Sequence, residues 1–198
     1  DFHSRGTGYR RLKKNFYSYI SKFFKIFYMI QPKEFKKLLD FVYSAHQEHC
    51  IKKDFRQDGK VPFVVHPIWC AMVLLNDTRI PYEERRIGYQ ALLLHDVLED
   101  TSLKLPEWVE PEVAKIVQEM THETWEEEID IDKKSSLVQL LKLVDKTATM
   151  YDENMRPDPQ RRRNWRELIE KLLKKVEPNY KDSRVVSLAK TVLENTDW

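Results

Sequence analysis

Apolar residues from Pro32 onward return every three or four positions, beginning with Phe35, Leu38, Leu39, Val42 and Ala45. This spacing places them on one face of a helix, so each such stretch predicts an amphipathic helix with a buried stripe. Only VPFVV, at 61–65, resembles a strand, and no second stretch could pair with it. Because a sheet needs several strands, the sequence predicts an all-α helical bundle.

The same periodicity indicates where the helices lie along the chain. They are predicted at 35–45, 68–75, 87–98, 111–120, 137–150, 160–176 and 182–195. Proline and asparagine in EPNYKDS, at 177–183, predict a turn between the last two helices. The segment ETWEEEIDIDKK, at 123–134, is too acidic for a core, and it predicts a solvated loop or a frayed helix end.

Composition excludes two common kinds of site. None of the 4 glycines forms a GxGxxG or P-loop spacing, which excludes a glycine-rich loop that holds phosphate through backbone amides. The 2 cysteines, Cys50 and Cys70, form no CxxC pair, which excludes a disulfide framework and a thiolate zinc site. We therefore expect a reducing compartment, the cytoplasm. The 34 basic and 32 acidic residues almost cancel, so no nucleic acid partner is expected.

Residues 1–31 are predicted to be a basic, aromatic segment distinct from a main domain at 32–198. Within it, 16–30 carries an apolar stripe with Lys22 and Lys25 on another face, which predicts an extra N-terminal amphipathic helix. This stretch is too short and too charged to span a bilayer. We expect it to pack on the main domain or on a partner chain, with contact at a membrane surface as a less favoured alternative. The first residues are expected to be an expression or processing remnant.

A strongly apolar helix ends in four polar groups in LLLHDVLEDT, at 92–101. Helical spacing places His95 over Glu99, one turn apart, and Asp96 lies over Asp100 in the same way on the neighbouring stripe. One imidazole and three carboxyl groups then share one side of the helix. Buried carboxylates need a counter-charge, which a divalent metal would supply. The alternative is a solvent-exposed helix end whose histidine completes the core.

Two further residues offer ligands for such a metal. His66 stands just before a helix expected to open at Pro67, so that its side chain points off the helix start. Asp145 lies on an apolar helix face in LLKLVDKTATM and again requires a counter-charge. A simple helix pair with Lys142 or Lys146 is the alternative source of that charge.

Three motifs in this order and helical setting resemble the HD-domain metal-dependent phosphohydrolases: HP at 66–67, HDVLEDT at 95–101 and KLVDK at 142–146. Within that superfamily the chain is similar to the alarmone hydrolases, meaning the hydrolase domain of RelA/SpoT enzymes and the small alarmone hydrolases. AHQEH with GKVPFVVHP resembles the opening segment of this branch, and ED after HDVL is its distinguishing feature. The resemblance covers about 35–176 and implies that 32–198 is an HD-type hydrolase domain.

The resemblance implies a set of ligands for one divalent metal, usually manganese: His66, His95, Asp96 and Asp145. It also implies that Glu99 and Asp100 handle the attacking water, and it leaves open which of them does what. The donor set itself, two imidazoles and two carboxylates, suits Mn²⁺, with Fe²⁺, Zn²⁺ and Mg²⁺ as alternatives.

A small phosphorylated nucleotide is the substrate that the resemblance implies. The most specific form is guanosine 3′,5′-bis(diphosphate), from which a 3′-pyrophosphohydrolase removes the 3′ diphosphate. Substrate contacts are expected at Lys52, Lys53, Lys142, Lys146 and Thr149. Alarmone hydrolases usually have Asn at the position of Thr149, whose hydroxyl lacks the two-sided hydrogen bonding of an amide. His46 and His49 match no ligand spacing, and we expect structural or surface roles for them.

Two other functions stay open. One is an HD-family nucleotide phosphatase with a different nucleotide substrate. The other is a nucleotide-sensing HD module that docks through the N-terminal helix. Retention of all four ligand positions argues against the module, because buried carboxylates without a counter-charge would only be costly there. Association into a homo-oligomer is also open.

Overall fold

The computed structural model describes residues 31–51, 61–153 and 158–195. Its helices are α1 (Pro32–Glu48), α2 (Val65–Leu75), α3 (Tyr82–Leu94), α4 (Val97–Asp100), α5 (Pro111–Met120), α6 (Trp125–Ile129), α7 (Ser136–Glu153), α8 (Pro159–Tyr180) and α9 (Arg184–Asn195). A 3-10 turn, Ile131–Lys133, lies between α6 and α7. Within the described ranges the extended structure amounts to an isolated bridge between Cys50 and Thr101, and the all-α prediction is confirmed.

The chain divides into two units between Lys36 and Lys37, inside α1. Of the first unit the structure describes 31–36, where the Phe35 N–H donates to the Gln31 carbonyl at 3.0 Å. The predicted N-terminal helix at 16–30 lies outside the described residues, and the predicted boundary after residue 31 stays a prediction. In the described part of the chain, no helix combines the length and the apolar character that crossing a membrane requires.

Helix α7 lies in the middle of the second unit, where it packs against α2, α3, α5, α8 and α9. Its apolar residues are buried around most of the helix: Val138, Leu140, Leu141, Leu143 and Val144. Three charged residues on the same helix, Lys142, Asp145 and Lys146, are buried as well. Because a buried charge is costly unless it is paired, the polar chemistry of α7 must be compensated inside the fold.

Gly88 of α3 lies where three helices approach closely. A Cβ atom at this position would be 2.5 Å from Leu74 Cδ2 of α2 and 2.9 Å from Leu141 Cδ2 of α7. The absent side chain therefore permits α2 and α7 to pack directly on α3. These three helices carry or lead into the predicted metal ligands, so their close packing brings the ligands together.

The stretch VPFVV at 61–65, which resembled a strand in the sequence, is instead a turn that leads into α2. The Val65 N–H donates to the Pro62 carbonyl at 3.1 Å, and Phe63 and Val64 are buried within the turn. The apolar residues that resembled a strand thus fill the core without a sheet. Helix α2 begins at Val65, so His66 lies in its first turn rather than before it.

The turn expected at 177–183 is shorter than the prediction. Helix α8 continues to Tyr180 and includes Pro178 near its end, where the missing N–H removes one backbone hydrogen bond without ending the helix. The Ser183 N–H donates to the Tyr180 carbonyl at 2.8 Å. Asp77 then caps α9 by accepting the Val185 N–H at 3.1 Å. The turn proper is therefore confined to 181–183.

The acidic segment at 123–134 is not a solvated loop, and that prediction was wrong. It contains α6 and the 3-10 turn, and Thr124 begins α6 by accepting the Glu127 N–H at 3.3 Å. Glu128 and Ile131 within it are each 0% exposed. The segment enters the core because cations from other parts of the chain neutralise Glu128 there.

Candidate metal centre

Three predicted ligands from three different parts of the chain meet in the core. The ligand atoms of His66, His95 and Asp145 all lie within 4.8 Å of one another. Asp145 Oδ1 is 3.0 Å from His66 Nε2 and 3.6 Å from His95 Nε2. All three residues are buried, and the two imidazole rings are 5.4 Å apart between centroids. These residues form a compact set of nitrogen and oxygen donors.

Asp96, the fourth predicted ligand, borders the same space. Its Oδ1 is 3.2 Å from His95 Nε2, and its Oδ2 is 3.9 Å from His66 Nε2. The chain reaches this arrangement because α3 ends at Leu94 and α4 begins at Val97, so that His95 and Asp96 lie in the corner between them. The structure thus brings together all four residues that were predicted to hold a metal.

The orientation of His95 favours metal binding. Its Nδ1 is 2.7 Å from the Leu92 carbonyl, which can only accept, so Nδ1 carries the proton of the neutral ring. The lone pair of Nε2 then points toward the carboxylates of Asp96 and Asp145. Such a backbone partner on the far nitrogen is typical of metal-ligating histidines.

Two buried atoms of this set lack a hydrogen-bond partner within the described residues: His95 Nε2 and Asp96 Oδ2. A buried acceptor without a donor is costly. A cation bound by both residues would supply the missing partner. The donor set therefore fits a divalent metal ion.

Protonation is the other way to balance these charges. Burial lowers the pKa of His95, but the nearby carboxylates of Asp96 and Asp145 raise it more, to about 9. Burial raises the pKa of Asp96 above the usual range of a carboxyl group. A metal would therefore have to displace protons from the site, since ligands bind metal in their deprotonated forms.

Both oxygens of the Asp145 carboxylate contact other side chains. Its Oδ1 faces the two histidines, whereas its Oδ2 is 2.8 Å from Lys146 Nζ. Burial raises the pKa of Asp145, but Lys146 and the two histidines lower it well below its usual range. The helix pair considered as an alternative to a metal therefore exists, but it engages one of the two carboxylate oxygens.

Lys142 and Lys146 lie inside the protein, 1% and 7% exposed. Lys142 Nζ is 2.6 Å from Glu128 Oε2, and Lys146 Nζ is 2.7 Å from Glu128 Oε1. Both ammonium groups are thus internal counter-charges. Direct contact with substrate, which the sequence suggested for both, is not supported because such a contact needs an accessible side chain.

Glu99 is oriented by a residue that the sequence did not single out. Its Oε1 is 3.1 Å from the backbone N–H of His122 and 2.8 Å from His122 Nδ1. His122 Nδ1 is also 2.7 Å from Glu128 Oε2. Burial lowers the pKa of His122, but Glu128 and Glu99 raise it more, to about 9. A charged imidazolium therefore lies between the two glutamates.

The remaining predicted site residues have different surroundings. Asp100 is half-buried, and its carbonyl accepts the Ile51 N–H at 2.8 Å. The hydroxyl of Thr149 donates to the Asp145 carbonyl at 3.1 Å, within α7. Lys52 and Lys53 lie outside the described residues.

Neither His46 nor His49, the two histidines of the described residues not yet discussed, joins the metal ligands. His46 is buried, with its ring 5.1 Å from that of Phe63, and His49 is exposed. Both therefore fit the structural or surface role expected from their spacing.

Comparison with known proteins supports the fold. No family model and no curated protein sequence matches the chain. A solved structure with a similar fold is described as a metazoan ortholog of SpoT that hydrolyzes ppGpp and plays a role in starvation responses. It has a TM-score of 0.66 and 22% sequence identity, and the similarity covers 85% of this chain and 98% of that chain. The chain thus shares the fold of this SpoT ortholog.

Proposed function

We propose that this chain is a metal-dependent phosphohydrolase that removes the 3′ diphosphate from guanosine 3′,5′-bis(diphosphate), or ppGpp. The observation that carries the proposal is the convergence of His66, His95, Asp96 and Asp145 in a shared fold with a protein that hydrolyzes ppGpp. The cluster supports metal-dependent phosphate hydrolysis, and the similar protein supports ppGpp as the substrate.

The metal would be held by the two imidazole Nε2 atoms and by one oxygen from each of Asp96 and Asp145. This mixed set leaves Mn²⁺ as the first candidate, with Fe²⁺, Zn²⁺ and Mg²⁺ as alternatives. A bound divalent ion would lower the pKa of a water molecule and neutralise charge on the phosphoryl group. Lys146 would keep the second oxygen of Asp145 engaged, 2.8 Å away.

Glu99 is the residue that we assign to the attacking water. Its contacts with His122 both end on Oε1, so Oε2 is the oxygen that would accept the proton of that water. Water attacks the phosphorus next to the ribose, and the bond between this phosphorus and the 3′ oxygen breaks. The 3′ oxygen then needs a proton, and Asp100 is the neighbouring carboxyl group that we assign to deliver it.

Cations are still required for the polyphosphate of this substrate. Because Lys142 and Lys146 are engaged in internal ion pairs, Lys52 and Lys53 stay the proposed contacts for the substrate phosphates. The cytoplasm, expected from the few cysteines of the sequence, stays the proposed compartment.

The direct test is metal-dependent product release. Protein treated with a chelator should be inactive on ppGpp, and addition of Mn²⁺ should restore the release of pyrophosphate. Chelated protein that is treated with Ca²⁺ serves as the control for recovery by any divalent ion. If the Mn²⁺-loaded protein releases no pyrophosphate from ppGpp, the substrate assignment fails.

A second function, a nucleotide phosphatase with another substrate, is favoured by Thr149. This residue replaces the Asn that is usual in alarmone hydrolases, and its hydroxyl already donates to the Asp145 carbonyl. A panel of nucleotides with Mn²⁺ present separates the two functions. Release of orthophosphate from a nucleotide other than ppGpp would support the phosphatase, whereas pyrophosphate from ppGpp would support the first proposal.

A further inference from the structure

Glu128 of α6 lies between two residues that contact the proposed site. The network defined by Glu128 consists of Glu99, His122, Glu128, Lys142, Asp145 and Lys146. The Glu128 carboxylate is 0% exposed, and each of its oxygens faces a cation. We propose that Glu128 is a positioning residue, which holds His122 against Glu99 and Lys146 against Asp145. The kinetic part of this inference rests on the proposed function.

The first arm of the network leads to the attacking water. Glu128 Oε2 is 2.7 Å from His122 Nδ1, and the same nitrogen is 2.8 Å from Glu99 Oε1. The backbone N–H of His122 donates to that Glu99 oxygen at 3.1 Å. The backbone N–H thus fixes one oxygen of Glu99 by a hydrogen bond, and the imidazolium contacts the two carboxylates as an ion pair, because Nδ1 has no aligned hydrogen-bond partner within the described residues. Glu99 Oε2 is the oxygen that we propose to accept the proton of the attacking water.

The second arm leads to the metal ligands. Lys146 Nζ is 2.7 Å from Glu128 Oε1 and 2.8 Å from Asp145 Oδ2. The Trp165 ring lies 4.7 Å from the same ammonium group, which adds a cation–π contact. With Lys146 fixed in this way, Asp145 cannot rotate its Oδ1 away from the two histidines without losing an ion pair.

Stability alone is a weak reason for this arrangement. A buried ion pair is often no more stable than an apolar replacement of the same size, because desolvation offsets the attraction. The network is also balanced: among the described residues it contains three cations and three carboxylates. Two of those carboxylates, Glu99 and Asp145, are proposed to act in the reaction. Glu128 itself is the third, and its remaining function is to hold the cations in place.

Burial raises the pKa of Glu128, but Lys146, His122 and Lys142 lower it far more, to well below its usual range. The carboxylate is therefore charged at any pH at which the enzyme would work. Replacement by glutamine keeps the size of the side chain and removes that charge.

The test compares Glu128→Gln, His122→Gln and the double variant with Glu126→Gln, an exposed glutamate on the same helix. Pyrophosphate release from ppGpp gives kcat and KM at saturating Mn²⁺, and calorimetric titration with Mn²⁺ gives metal affinity without substrate. We expect Glu128→Gln to lower kcat about 10- to 100-fold and to weaken Mn²⁺ binding about 10-fold, as outer partners of metal sites do. KM should be unchanged.

His122→Gln should lower kcat in the same range and leave Mn²⁺ affinity unchanged, because it interrupts one arm. The double variant should lose no more kcat than Glu128→Gln, because both changes act on Glu99 through the same contact. A purely structural Glu128 would instead lower thermal stability while kcat and Mn²⁺ affinity stay at the Glu126→Gln level. That result, or additive losses of kcat in the double variant, would overturn the proposal.

If Glu128→Gln does not fold, His122→Gln decides, since His122 is partly exposed and easier to replace. Retained kcat in this variant would overturn the proposal.

The Mn²⁺ titration also separates the positioning role of Glu128 from the proposed function. If the wild-type protein hydrolyses no ppGpp but Glu128→Gln still weakens Mn²⁺ binding, the proposed function fails and the positioning of Asp145 stands. If the wild type hydrolyses ppGpp and Glu128→Gln behaves as Glu126→Gln does, the inference fails alone.

Discussion

The corner at 95–101 and the acidic segment at 123–134 both hold carboxylates, half-buried in the first and fully buried at Glu128 in the second, but they balance the charge differently. Glu128 in the acidic segment meets Lys142 at 2.6 Å and Lys146 at 2.7 Å. Asp96 in the corner meets histidine nitrogens at 3.2 and 3.9 Å, farther than the lysines lie from Glu128. The protein supplies its own cations to the acidic segment, whereas the corner has ligand atoms directed at a space that suits an added cation.

Loss of a ligand from the corner should have the largest effect. Asp145→Ala removes an oxygen that lies within reach of both histidines, and we expect turnover to fall on the order of 10³-fold or more because metal stabilisation is lost. Bound Mn²⁺ should disappear as well, as measured by metal analysis after gel filtration. Asp132→Ala, which changes an exposed carboxylate, is the matched control. Stoichiometric Mn²⁺ in Asp145→Ala would contradict the ligand assignment.

Replacement of Glu99 separates proton transfer from metal binding within the same corner. Glu99→Ala should lower turnover by about 10²- to 10⁴-fold, the usual range for a general base, while Mn²⁺ binding is retained. Steady-state kinetics and metal analysis on one preparation check both parts. Loss of Mn²⁺ from this variant would move Glu99 into the ligand set.

In the acidic segment at 123–134, removal of the charge on Glu128 should lower the stability of the protein. In Glu128→Gln, Lys142 and Lys146 stay buried with less counter-charge, so we expect the free energy of unfolding to fall by about 3–5 kcal/mol. Urea denaturation of the metal-free protein measures this loss. Glu126→Gln, on the exposed side of α6, should change the value by less than about 0.5 kcal/mol. Equal effects of the two substitutions would remove the distinction between the regions.

His122 should make stability depend on pH. Because its pKa rises from 6.5 in the unfolded chain to about 9 in the folded protein, its charged form stabilises the fold fully below pH 6.5. This contribution, about 3 kcal/mol, should be lost as the pH rises through 9. Urea denaturation at several pH values should show the decline in the wild type and a flatter profile in His122→Gln. Parallel profiles would show that the imidazolium is not held as described.

The smallest effect is expected from Asp96→Asn in the metal-free protein. Burial raises the pKa of Asp96 to about 7, so ionisation of this group opposes folding once the pH exceeds its usual range. At neutral pH the substitution relieves this cost but also removes a carboxylate that stabilises the charged form of His95, so we expect the two effects to offset and the free energy of unfolding to change by at most about 1 kcal/mol. Added Mn²⁺ should stabilise the wild type and not the variant. A large destabilisation of the metal-free variant would show that the carboxylate is compensated without a metal.

The sequence predicted most of the helices and all four proposed ligands. Periodic apolar residues indicate helices because burial of one stripe is a local property. The resemblance to the HD-domain motifs implied the ligand set, and the polar residues in apolar surroundings at 95–96 and 145 agreed with it. The fold shared with a SpoT ortholog confirms the predicted helical bundle.

Glu128 and His122 could not be found in the same way. The acidic composition at 123–134 favours solvent, and nothing local identifies Glu128 as the residue that is 0% exposed. Its partners lie 14 and 18 positions later, on α7, and pairing at that separation depends on how α6 packs. The same packing turned two lysines that were expected to bind substrate into internal counter-charges. The motif THE, at 121–123, was the available signal, but a histidine alone does not indicate which carboxylates it will meet.

Titration of chelator-treated wild-type protein with Mn²⁺ in a calorimeter tests whether the corner is a metal centre. We predict saturable binding of one ion per chain, with release of protons because His95 must give up its second proton to become a ligand. The heat should therefore depend on the buffer, and Asp145→Ala should show no such binding. Absence of saturable binding in the wild type, or the same binding in Asp145→Ala, would contradict the account.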